Sequence, residues 1–425
     1  MKVYLDTIGC RLNQSEIESM ARQFRVAGHE IVAVAENADL AVVNTCVVTA
    51  KAASDSRGKI RHIARAGVEE IIATGCWATL QPTEAAALPG VSLTVSNDHK
   101  DRLVAEFLNL PQENFDLDPI SRQRLPGLHH RTRAFIKVQD GCDNHCTFCV
   151  TTVARGRGRS RPIRQVIGDI QSALLGDTKE VILTGVHLGS WGQDFGCHLR
   201  DLVRAILQET EVPRLRLSSL EPWDLDAEFF SLWEDQRLCQ HLHLPLQSGS
   251  AATLKRMARK TTPASFRNLV AAARQIIPDV AITTDIIAGF PGETKAEYDE
   301  SLEFVREMNF AGGHTFTYSR RPGTGAARMD GQVRPDLCKE RNAVYRAVFN
   351  NSANAYRRKF IGQKTTVLWE SMSQLDQNGW QMEGLSGNYL RVTAAAGSPR
   401  WNIMDEVKLI SSEGDKLIGE ITGSS

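Results

Sequence analysis

Three cysteines lie close together near the middle of the chain: Cys142, Cys146 and Cys149, in a C-x3-C-x2-C pattern that follows a predicted strand. A closed zinc site uses four ligands, and neither a fourth cysteine nor a suitably spaced histidine follows the pattern. His145 is poorly placed to share one metal with all three thiolates. Three thiolates suit a 4Fe–4S cluster with one open iron, which can chelate the amino and carboxylate groups of a methionine moiety.

Three further cysteines, Cys10, Cys46 and Cys76, each come directly after a predicted strand in the first part of the chain. A single cysteine of this kind is usually a small buried hydrophobe. The carboxyl ends of parallel strands meet at one edge of a sheet, however, and ligands bind there. We therefore expect these three thiols to hold a second, auxiliary cluster. Structural roles are predicted for the three cysteines without partner spacing, which are Cys197, Cys239 and Cys338.

The elements around the first cysteines predict a Rossmann-like parallel sheet. Strand patterns at residues 2–8, 40–44 and 70–74 alternate with helical patterns at residues 15–26 and 50–65. This alternation is typical of βαβ units, so the fold class is α/β. Periodicity then fades, and proline, aspartate, asparagine and arginine accumulate. We interpret residues 1–112 as one domain and residues 113–130 as a linker.

A second series of strands alternates with helices in the central region. Its strand patterns cover residues 132–139, 180–184, 214–218, 241–245, 281–287 and 313–318. This series predicts a partial (β/α)6 barrel within residues 131–359. From residue 360 to residue 425, short alternating strands separated by glycine, serine, asparagine and aspartate predict a small closed β-barrel.

Composition limits the classes of function. The 425 residues are 42% hydrophobic and 24% charged, as in ordinary globular proteins, and two or three domains are expected. Fifty basic and fifty acidic residues cancel, which excludes a globally basic nucleic-acid binder but permits a local basic face. We see no signal-peptide pattern and no apolar run of membrane-spanning length. A cytoplasmic protein with reduced cysteines and no membrane partner is therefore predicted.

The C-x3-C-x2-C pattern resembles the signature of the radical S-adenosylmethionine (SAM) superfamily, and the three regions together resemble its methylthiotransferase family. The resemblance covers nearly the whole chain. The predicted carboxy-terminal barrel of the chain resembles the TRAM domain, an OB-like RNA-binding module. It rests on Gly9-Cys10 with Asn13, Asn44-Thr45-Cys46, Gly75-Cys76, the HLPLQSG run at residues 243–249, the GFPGET run at residues 289–294, and Tyr318-Ser319-Arg320.

The resemblance implies two 4Fe–4S clusters and SAM as cofactors. Cys142, Cys146 and Cys149 would hold the cluster that cleaves SAM, while Cys10, Cys46 and Cys76 would hold the cluster that supplies sulfur. One SAM would methylate that sulfur, and a second would give the radical that removes hydrogen from an unactivated carbon. Further cofactor contacts are expected at Phe148, Thr184, Gly185, Ser219, Glu221, Gln247 and Gly289. An electron donor of flavodoxin or ferredoxin type and a monomeric state are also expected.

Two short motifs indicate a branch of this family. Residues 10–16, CRLNQSE, and residues 185–189, GVHLG, resemble the branch that acts on N6-threonylcarbamoyladenosine at adenosine-37, next to the anticodon of tRNA. Alternatives are the same chemistry on isopentenyladenosine or on an aspartate of a ribosomal protein, and a non-catalytic RNA-binding iron–sulfur protein. One departure is Thr261, where the family usually has an aromatic residue beside a basic pair.

Basic and aromatic residues predict contacts with tRNA. Arg155, Arg157 and Arg159 alternate with glycines directly after the cluster motif and could meet phosphates, or could form a solvated loop balanced by acids. A second basic stretch lies in and after the linker, at Arg122, Arg124, Arg131 and Arg133. In the terminal barrel, Trp369, Trp380, Tyr389 and Trp401 could stack on bases, although about half of them should be barrel core.

Overall fold

The computed structural model describes residues 1–115, 123, 132–374 and 379–424. The first region is a five-stranded parallel sheet with helices on both faces, in the strand order β2-β1-β3-β4-β5. Its elements are β1 (Lys2–Thr7), α1 (Arg11–Val26), β2 (Glu30–Val32), β3 (Leu40–Thr45), α2 (Ala50–Arg65), β4 (Glu70–Gly75), α3 (Cys76–Leu80), α4 (Pro82–Ala86), β5 (Val91–Val95) and α5 (Leu103–Leu108).

Central strand β3 shows why this sheet forms. All six of its residues are buried, and Leu40 and Val42 pack into a core on one face while Ala41 and Val43 pack into another core on the opposite face. A strand covered on both faces has a nearly continuous apolar sequence, as a parallel sheet requires. The predicted Rossmann-like parallel sheet is confirmed. The short strand β2 and the edge strand β5 were not predicted, since neither has a sustained apolar pattern.

The central region contains β6 (Arg133–Lys137), β7 (Gln139–Asp140), α6 (Thr151–Arg155), β8 (Arg159–Ser160), α7 (Ile163–Leu175), β9 (Glu180–Thr184), α8 (Leu199–Glu209), β10 (Arg214–Leu217), α9 (Ala227–Phe230), β11 (His241–His243), α10 (Ala251–Arg256), α11 (Pro263–Ile276), β12 (Ala281–Ala288), α12 (Lys295–Met308), β13 (Gly312–Thr317) and α13 (Pro335–Arg358). Strands β6, β9 and β10 form one parallel sheet, and strands β11, β12 and β13 form another.

Two isolated parallel bridges, Leu215 to Leu238 and Ser219 to His243, join the two central sheets at the β10–β11 junction. The six parallel strands therefore follow one another in chain order around an open wall, and no pairing in the described residues links β13 back to β6. This arrangement confirms the predicted partial (β/α)6 barrel.

The last region is a closed five-stranded barrel in the order β14-β15-β16-β18-β17. Its strands are β14 (Lys364–Gln374), β15 (Trp380–Ser386), β16 (Arg391–Ala396), β17 (Met404–Glu413) and β18 (Lys416–Ser424). Trp369, Met382, Val392 and Val407 are among the residues that fill it. The predicted small β-barrel is confirmed. Trp369 is fully buried and donates to Asp405 through its indole nitrogen, so of the four candidate aromatic residues it is one that forms barrel core instead of stacking on bases.

Most of the predicted linker, including Arg122 and Arg124, lies outside the described residues, as does Arg131 directly after it. Among the helices that the structure describes, none has the length and apolar character needed to cross a membrane.

Candidate functional site

The first three predicted cysteine ligands lie at the carboxyl ends of adjacent strands. Strands β1, β3 and β4 are neighbours in the sheet, and Cys10, Cys46 and Cys76 follow them within a few residues. All three thiols line the same cavity, which has a volume of about 710 Å³. The Cys10 thiol is accessible from the cavity although protein surrounds it, and burial raises its pKa while the Arg155 guanidinium opposes that rise.

Two glycines let these strand ends approach one another. Gly9 has φ +113°, and a side chain there would lie 2.8 Å from the Cys46 sulfur. Gly75 has φ +93°, and a Cβ atom would lie 2.4 Å from the Thr45 carbonyl oxygen. Both the positive φ and the lack of space require glycine at these positions. Gly9 and Gly75, which directly precede Cys10 and Cys76, therefore allow these cysteines to share one edge of the sheet with Cys46.

Asparagine side chains fasten the cysteine-bearing turns together. Asn13 Nδ2 donates to the carbonyl oxygens of Ile8 at 2.8 Å and Thr45 at 3.0 Å. Asn44 Nδ2 donates to the Asn13 carbonyl oxygen at 3.0 Å and to Glu16 Oε2 at 3.0 Å. Buried polar groups that are fully bonded rigidify their surroundings. The Asn13 and Asn44 of the sequence motifs thus position the cysteine-bearing turns.

Arg155 lies inside the protein, and the prediction that it contacts RNA is wrong. Its side chain is 1% exposed, and Nη1 donates to Glu16 Oε1 at 2.8 Å and to Asp140 Oδ1 at 2.9 Å. Nη2 donates to Asn13 Oδ1 at 2.7 Å. Because these partners occupy the guanidinium and exclude solvent, no phosphate can reach it. Arg155 instead joins the helix after the second cysteine motif to the first domain.

The second cysteine set lies in a loop between β7 and α6. Strand β8 returns antiparallel to β7, and the Cys142 amide donates to the Gly156 carbonyl oxygen at 3.0 Å. A Cβ atom on Gly141 would lie 1.9 Å from the Arg157 carbonyl oxygen, so the returning chain packs directly on this loop. The backbone of the arginine–glycine strip therefore supports the cysteine loop, a structural role that sequence reasoning missed.

His187 contacts the loop that carries Cys142, Cys146 and Cys149. His187 Nε2 lies 2.5 Å from Asp224 Oδ2, and Nδ1 lies 3.2 Å from Asn144 Nδ2. Burial alone would lower the pKa of His187, but its hydrogen bonds to Asp224 and Cys142 raise it to about 9. Sequence reasoning did not assign His187 a role, since its carboxylate partner lies 37 residues away.

Arg259 lies beside Cys146 and binds the predicted cofactor residue Glu221. Its Nη1 is 3.8 Å from the Cys146 sulfur, and its Nη2 donates to Glu221 Oε2 at 2.6 Å. The guanidinium also lies over the Trp223 ring, 4.5 Å from its centroid. Trp223 thus gives the basic pair an aromatic neighbour from another segment. Thr261 itself is buried and bonds to Ser265 near the start of α11.

The other predicted cofactor residues divide into two groups. Thr184, Gly185 and Ser219 line the cavity, at or just after the carboxyl ends of β9 and β10. Phe148, Gln247 and Gly289 are not among the residues lining this cavity. Phe148 packs against a small apolar cluster that includes Met257 and Phe290, and a Cβ atom on Gly289 would lie 2.1 Å from the Cys338 sulfur. Gly289 is therefore explained by helix packing, and its cofactor role stays a prediction.

Arg157 and Arg159 lie at the surface near acidic side chains. The Arg157 side chain is 93% exposed with Nε 3.6 Å from Asp143, and Arg159 Nη1 lies 3.1 Å from Asp98. Arg133, by contrast, lies in β6 and forms an ion pair with Glu370. Exposed ion pairs are worth little, so the first two arginines can exchange their partners for phosphates.

The donor atoms present fit two iron–sulfur clusters and a polar ligand. Within the described residues no group of three Cys, His, Asp or Glu side chains is arranged to hold a single metal ion. A cubane cluster does not require that convergence, because each thiolate binds a different iron atom. Buried polar atoms without a protein partner also lie near the cysteine sets, including Ser218 Oγ in the cavity and Trp223 Nε1 beside Arg259.

Comparison with protein families gives two matches. Residues 2–96 match the family described as Uncharacterized protein family UPF0004, and residues 136–305 match the Radical SAM superfamily. Among solved structures, the radical SAM methyltransferase TsrM from Kitasatospora setae is similar in fold, with a TM-score of 0.60. The two proteins are 16% identical in sequence, and the structural match covers 77% of this chain and 75% of TsrM.

Sequence similarity to curated relatives extends over most of the chain. The Threonylcarbamoyladenosine tRNA methylthiotransferase MtaB of Thermotoga maritima is 39% identical, covering 87% of this chain and 86% of the relative. The protein of the same name from Bacillus subtilis is 33% identical, and the match covers 92% of this chain and 89% of that protein. A tRNA-2-methylthio-N(6)-dimethylallyladenosine synthase of Maricaulis maris is 30% identical, and the match covers 100% of this chain and 98% of that protein.

Proposed function

Because the chain belongs to the tRNA methylthiotransferase family of radical SAM enzymes, we propose that it converts N6-threonylcarbamoyladenosine next to the tRNA anticodon into its 2-methylthio derivative. Relatives with the threonylcarbamoyladenosine name reach 39% identity, whereas those with the dimethylallyladenosine name reach 32%. The observation that carries the chemistry is that Cys10, Cys46 and Cys76 line one cavity together with Thr151 and Arg155 of α6, the helix that follows the second cysteine loop.

Each cysteine set holds one cluster in this proposal. Cys142, Cys146 and Cys149 hold the cluster that binds SAM, and Cys10, Cys46 and Cys76 hold the auxiliary cluster. When bound, these groups supply the reductive cleavage of SAM and the sulfur that is transferred. Thr184, Gly185, Ser219 and Glu221 contact SAM, together with Phe148, Gln247 and Gly289 near the loop.

The protein itself positions the two cysteine sets relative to each other. The buried bonds of Arg155 to Glu16 and Asn13 fix the second cysteine loop against the first domain. The open barrel provides a cavity that a single nucleoside can enter from tRNA, and water exclusion protects reactive species there. Arg157 and Arg159 bind tRNA phosphates beside the cavity, and the terminal barrel, from residue 360 onward, adds RNA contacts.

The proposal also includes an electron donor, an oligomeric state and a location. An electron donor of flavodoxin or ferredoxin type reduces the enzyme, which acts as a monomer in the cytoplasm. The first domain (residues 1–112) carries the auxiliary cluster, the central domain (residues 131–359) carries SAM, and the linker joins them at residues 113–130.

The proposal is tested by anaerobic turnover. Reconstituted enzyme, reductant and SAM are incubated with tRNA from cells that lack the activity, and the digested nucleosides are analysed by mass spectrometry. We expect a methylthio mass gain on threonylcarbamoyladenosine that is lost in Cys146→Ala and in Cys46→Ala. Cys197→Ala is the matched control and should retain activity, because Cys197 lies outside both cysteine sets.

The alternatives give different outcomes in this experiment. A mass gain on isopentenyladenosine instead would place the enzyme in the other tRNA branch. Production of 5′-deoxyadenosine with no gain on any nucleoside would contradict a tRNA substrate and favour an aspartate of a ribosomal protein. No SAM cleavage at all by cluster-loaded enzyme would favour a non-catalytic iron–sulfur protein.

A further inference from the structure

Arg11 directly follows Cys10, and its side chain lines the cavity beside the three auxiliary-site cysteines. We propose that the Arg11 guanidinium binds the carboxylate of the threonylcarbamoyl group and thereby selects this substrate over adenosines with an apolar N6 substituent. The inference rests on the proposed function, and it assigns a specificity-determining residue to the same site.

The Arg11 guanidinium has unused hydrogen-bonding capacity. Its Nη2 donates to the Tyr389 hydroxyl at 3.0 Å, and its carbon lies 6.0 Å from the centroid of the Phe135 ring. Among the described residues, no carboxylate forms an ion pair with Arg11, whereas Arg155 is paired with Glu16 and Asp140. A guanidinium has five N–H donors in a planar fork that matches a carboxylate. Arg11 can therefore take an external carboxylate without losing a protein partner.

Tyr389 holds Arg11 in a fixed position. The Tyr389 ring stacks on His241 with centroids 4.5 Å apart, and the Arg216 guanidinium lies 4.9 Å from the Tyr389 centroid. Arg216 in turn donates to the carbonyl oxygens of Ser386 at 3.2 Å and Gly387 at 2.9 Å, just before Tyr389. A side chain that is oriented before the ligand arrives loses less entropy on binding. The terminal barrel thus contributes to the substrate pocket through this loop.

The charges around the subsite favour an anion. The acids that line the cavity are already bonded, Asp285 to His243 at 3.3 Å and Asp415 to Arg391 at 3.2 Å. Of the arginines lining the cavity, Arg155 and Arg391 have carboxylate partners. Arg357 bonds to Asn354 within helix α13 and lies close enough to Asp415 to interact with its charge. Among the described arginines that line the cavity, Arg11 is therefore the one without a neighbouring carboxylate, and it is available for a negative group.

The geometry of the purine ring explains why a residue beside Cys10 can read the N6 substituent. Only the N1 atom separates C2, where sulfur is added, from C6, which carries the substituent. With C2 at the auxiliary site, the threonylcarbamoyl group must lie near the same cysteines. That group ends in a carboxylate, while a dimethylallyl group is apolar and gives the half-buried Arg11 guanidinium nothing to bond. Leaving such a polar group unpaired costs free energy, so the subsite discriminates by charge.

The test compares two RNA stem-loops that carry threonylcarbamoyladenosine with a free carboxylate or with its methyl ester. Binding is measured by titration, and methylthio product by mass spectrometry, for wild type, Arg11→Gln, Arg11→Lys and the surface control Arg306→Gln. We expect wild type to prefer the carboxylate RNA about 10- to 100-fold in kcat/KM, as for a charge-assisted hydrogen-bonded pair. Arg11→Gln should lose this preference, Arg11→Lys should keep part of it, and Arg306→Gln should keep all of it.

Cluster content distinguishes a local effect from damage to the neighbouring Cys10, so iron and sulfide are measured in each variant and should be unchanged. Equal turnover of acid and ester by wild type would overturn the inference, as would an Arg11→Gln variant that loses both substrates equally. If wild type forms no methylthio product but still binds the acid RNA more tightly through Arg11, the proposed function fails and the anion subsite stands.

Discussion

Arg155 shows how a single side chain connects two halves of the site. Its guanidinium is shared among Glu16, Asp140 and Asn13. Burial opposes ionisation, but the charges of Glu16 and Asp140 hold the pKa of Arg155 well above its usual value. Removing one partner from a buried ionic network leaves the remaining charges uncompensated.

We predict that Arg155→Met lowers the free energy of unfolding by about 1–3 kcal/mol, because Asp140 and Glu16 lose a shared cation that Lys100 and Lys137 replace only in part. Urea denaturation of the cluster-free protein measures this change, with the exposed Arg164→Met as the control. A change below about 0.5 kcal/mol, as at ordinary surface positions, would contradict the prediction.

The exposed arginines should behave differently. We predict that Arg157→Ala combined with Arg159→Ala weakens tRNA binding and reduces the slope of log affinity against log salt by about 2, because two phosphate contacts are lost. SAM cleavage without tRNA should continue, since neither side chain contacts the cysteines. Unchanged tRNA affinity at physiological salt would remove these two residues from the RNA-binding surface.

At the scale of elements, the strand ends of the first sheet determine whether an auxiliary cluster can form. Strands β1, β3 and β4 are parallel neighbours, so their carboxyl ends place three turns side by side. Gly75 leaves no room for a side chain between the β3 and β4 ends, whereas Gly67 has a similar φ of +95° with nothing within 4 Å. Substitutions at these two glycines therefore distinguish the effect of backbone strain from the effect of local crowding.

We predict that Gly75→Ala loses about half of the reconstituted iron, because the added methyl displaces the Thr45 backbone and with it Cys46. Gly67→Ala pays the same penalty for a positive φ, about 1 kcal/mol, and should retain full iron content. Iron and sulfide per chain are the measurement. Equal iron loss in both variants would show that strain alone, not crowding at the cysteine turns, is responsible.

For the whole molecule, a buried ionic group fastens the terminal barrel to the central domain. Glu180 in β9 accepts from Arg216 at 2.7 Å and pairs with Arg214 at 2.8 Å, and Arg214 also donates to the Leu385 carbonyl oxygen. Burial opposes ionisation, but Arg216 and Arg214 lower the pKa of Glu180 to about 2. The loop that carries Tyr389 is thereby fixed against the cavity.

We predict that Glu180→Gln increases hydrogen exchange in residues 385–390 while the remaining barrel stays protected, because Arg214 and Arg216 lose the charge that orients them. Hydrogen-exchange mass spectrometry measures this, with the exposed Glu228→Gln as the control. Since the folded pKa of Glu180 is depressed, its stabilisation is complete above the unfolded value near 4.5 and is lost as pH falls towards about 2. Exchange that is unchanged in this loop would contradict the prediction.

The amino-acid sequence by itself determined the fold class, the three regions and both cysteine sets as candidates. Hydrophobic periodicity is local, so strands such as β3 and the order of strands and helices could be predicted within a few residues. The C-x3-C-x2-C pattern is also local, and strand ends of a parallel sheet share an edge by geometry. These features depend on residues that are close in sequence.

Only the tertiary structure decided which of the polar residues lie inside. Arg155 and Arg157 are two residues apart and look equivalent in sequence, yet one is buried against Glu16 and the other is 93% exposed. Tyr389 and Arg11 meet across 378 positions. Such pairings depend on how three domains pack around one cavity, and no local periodicity encodes that packing.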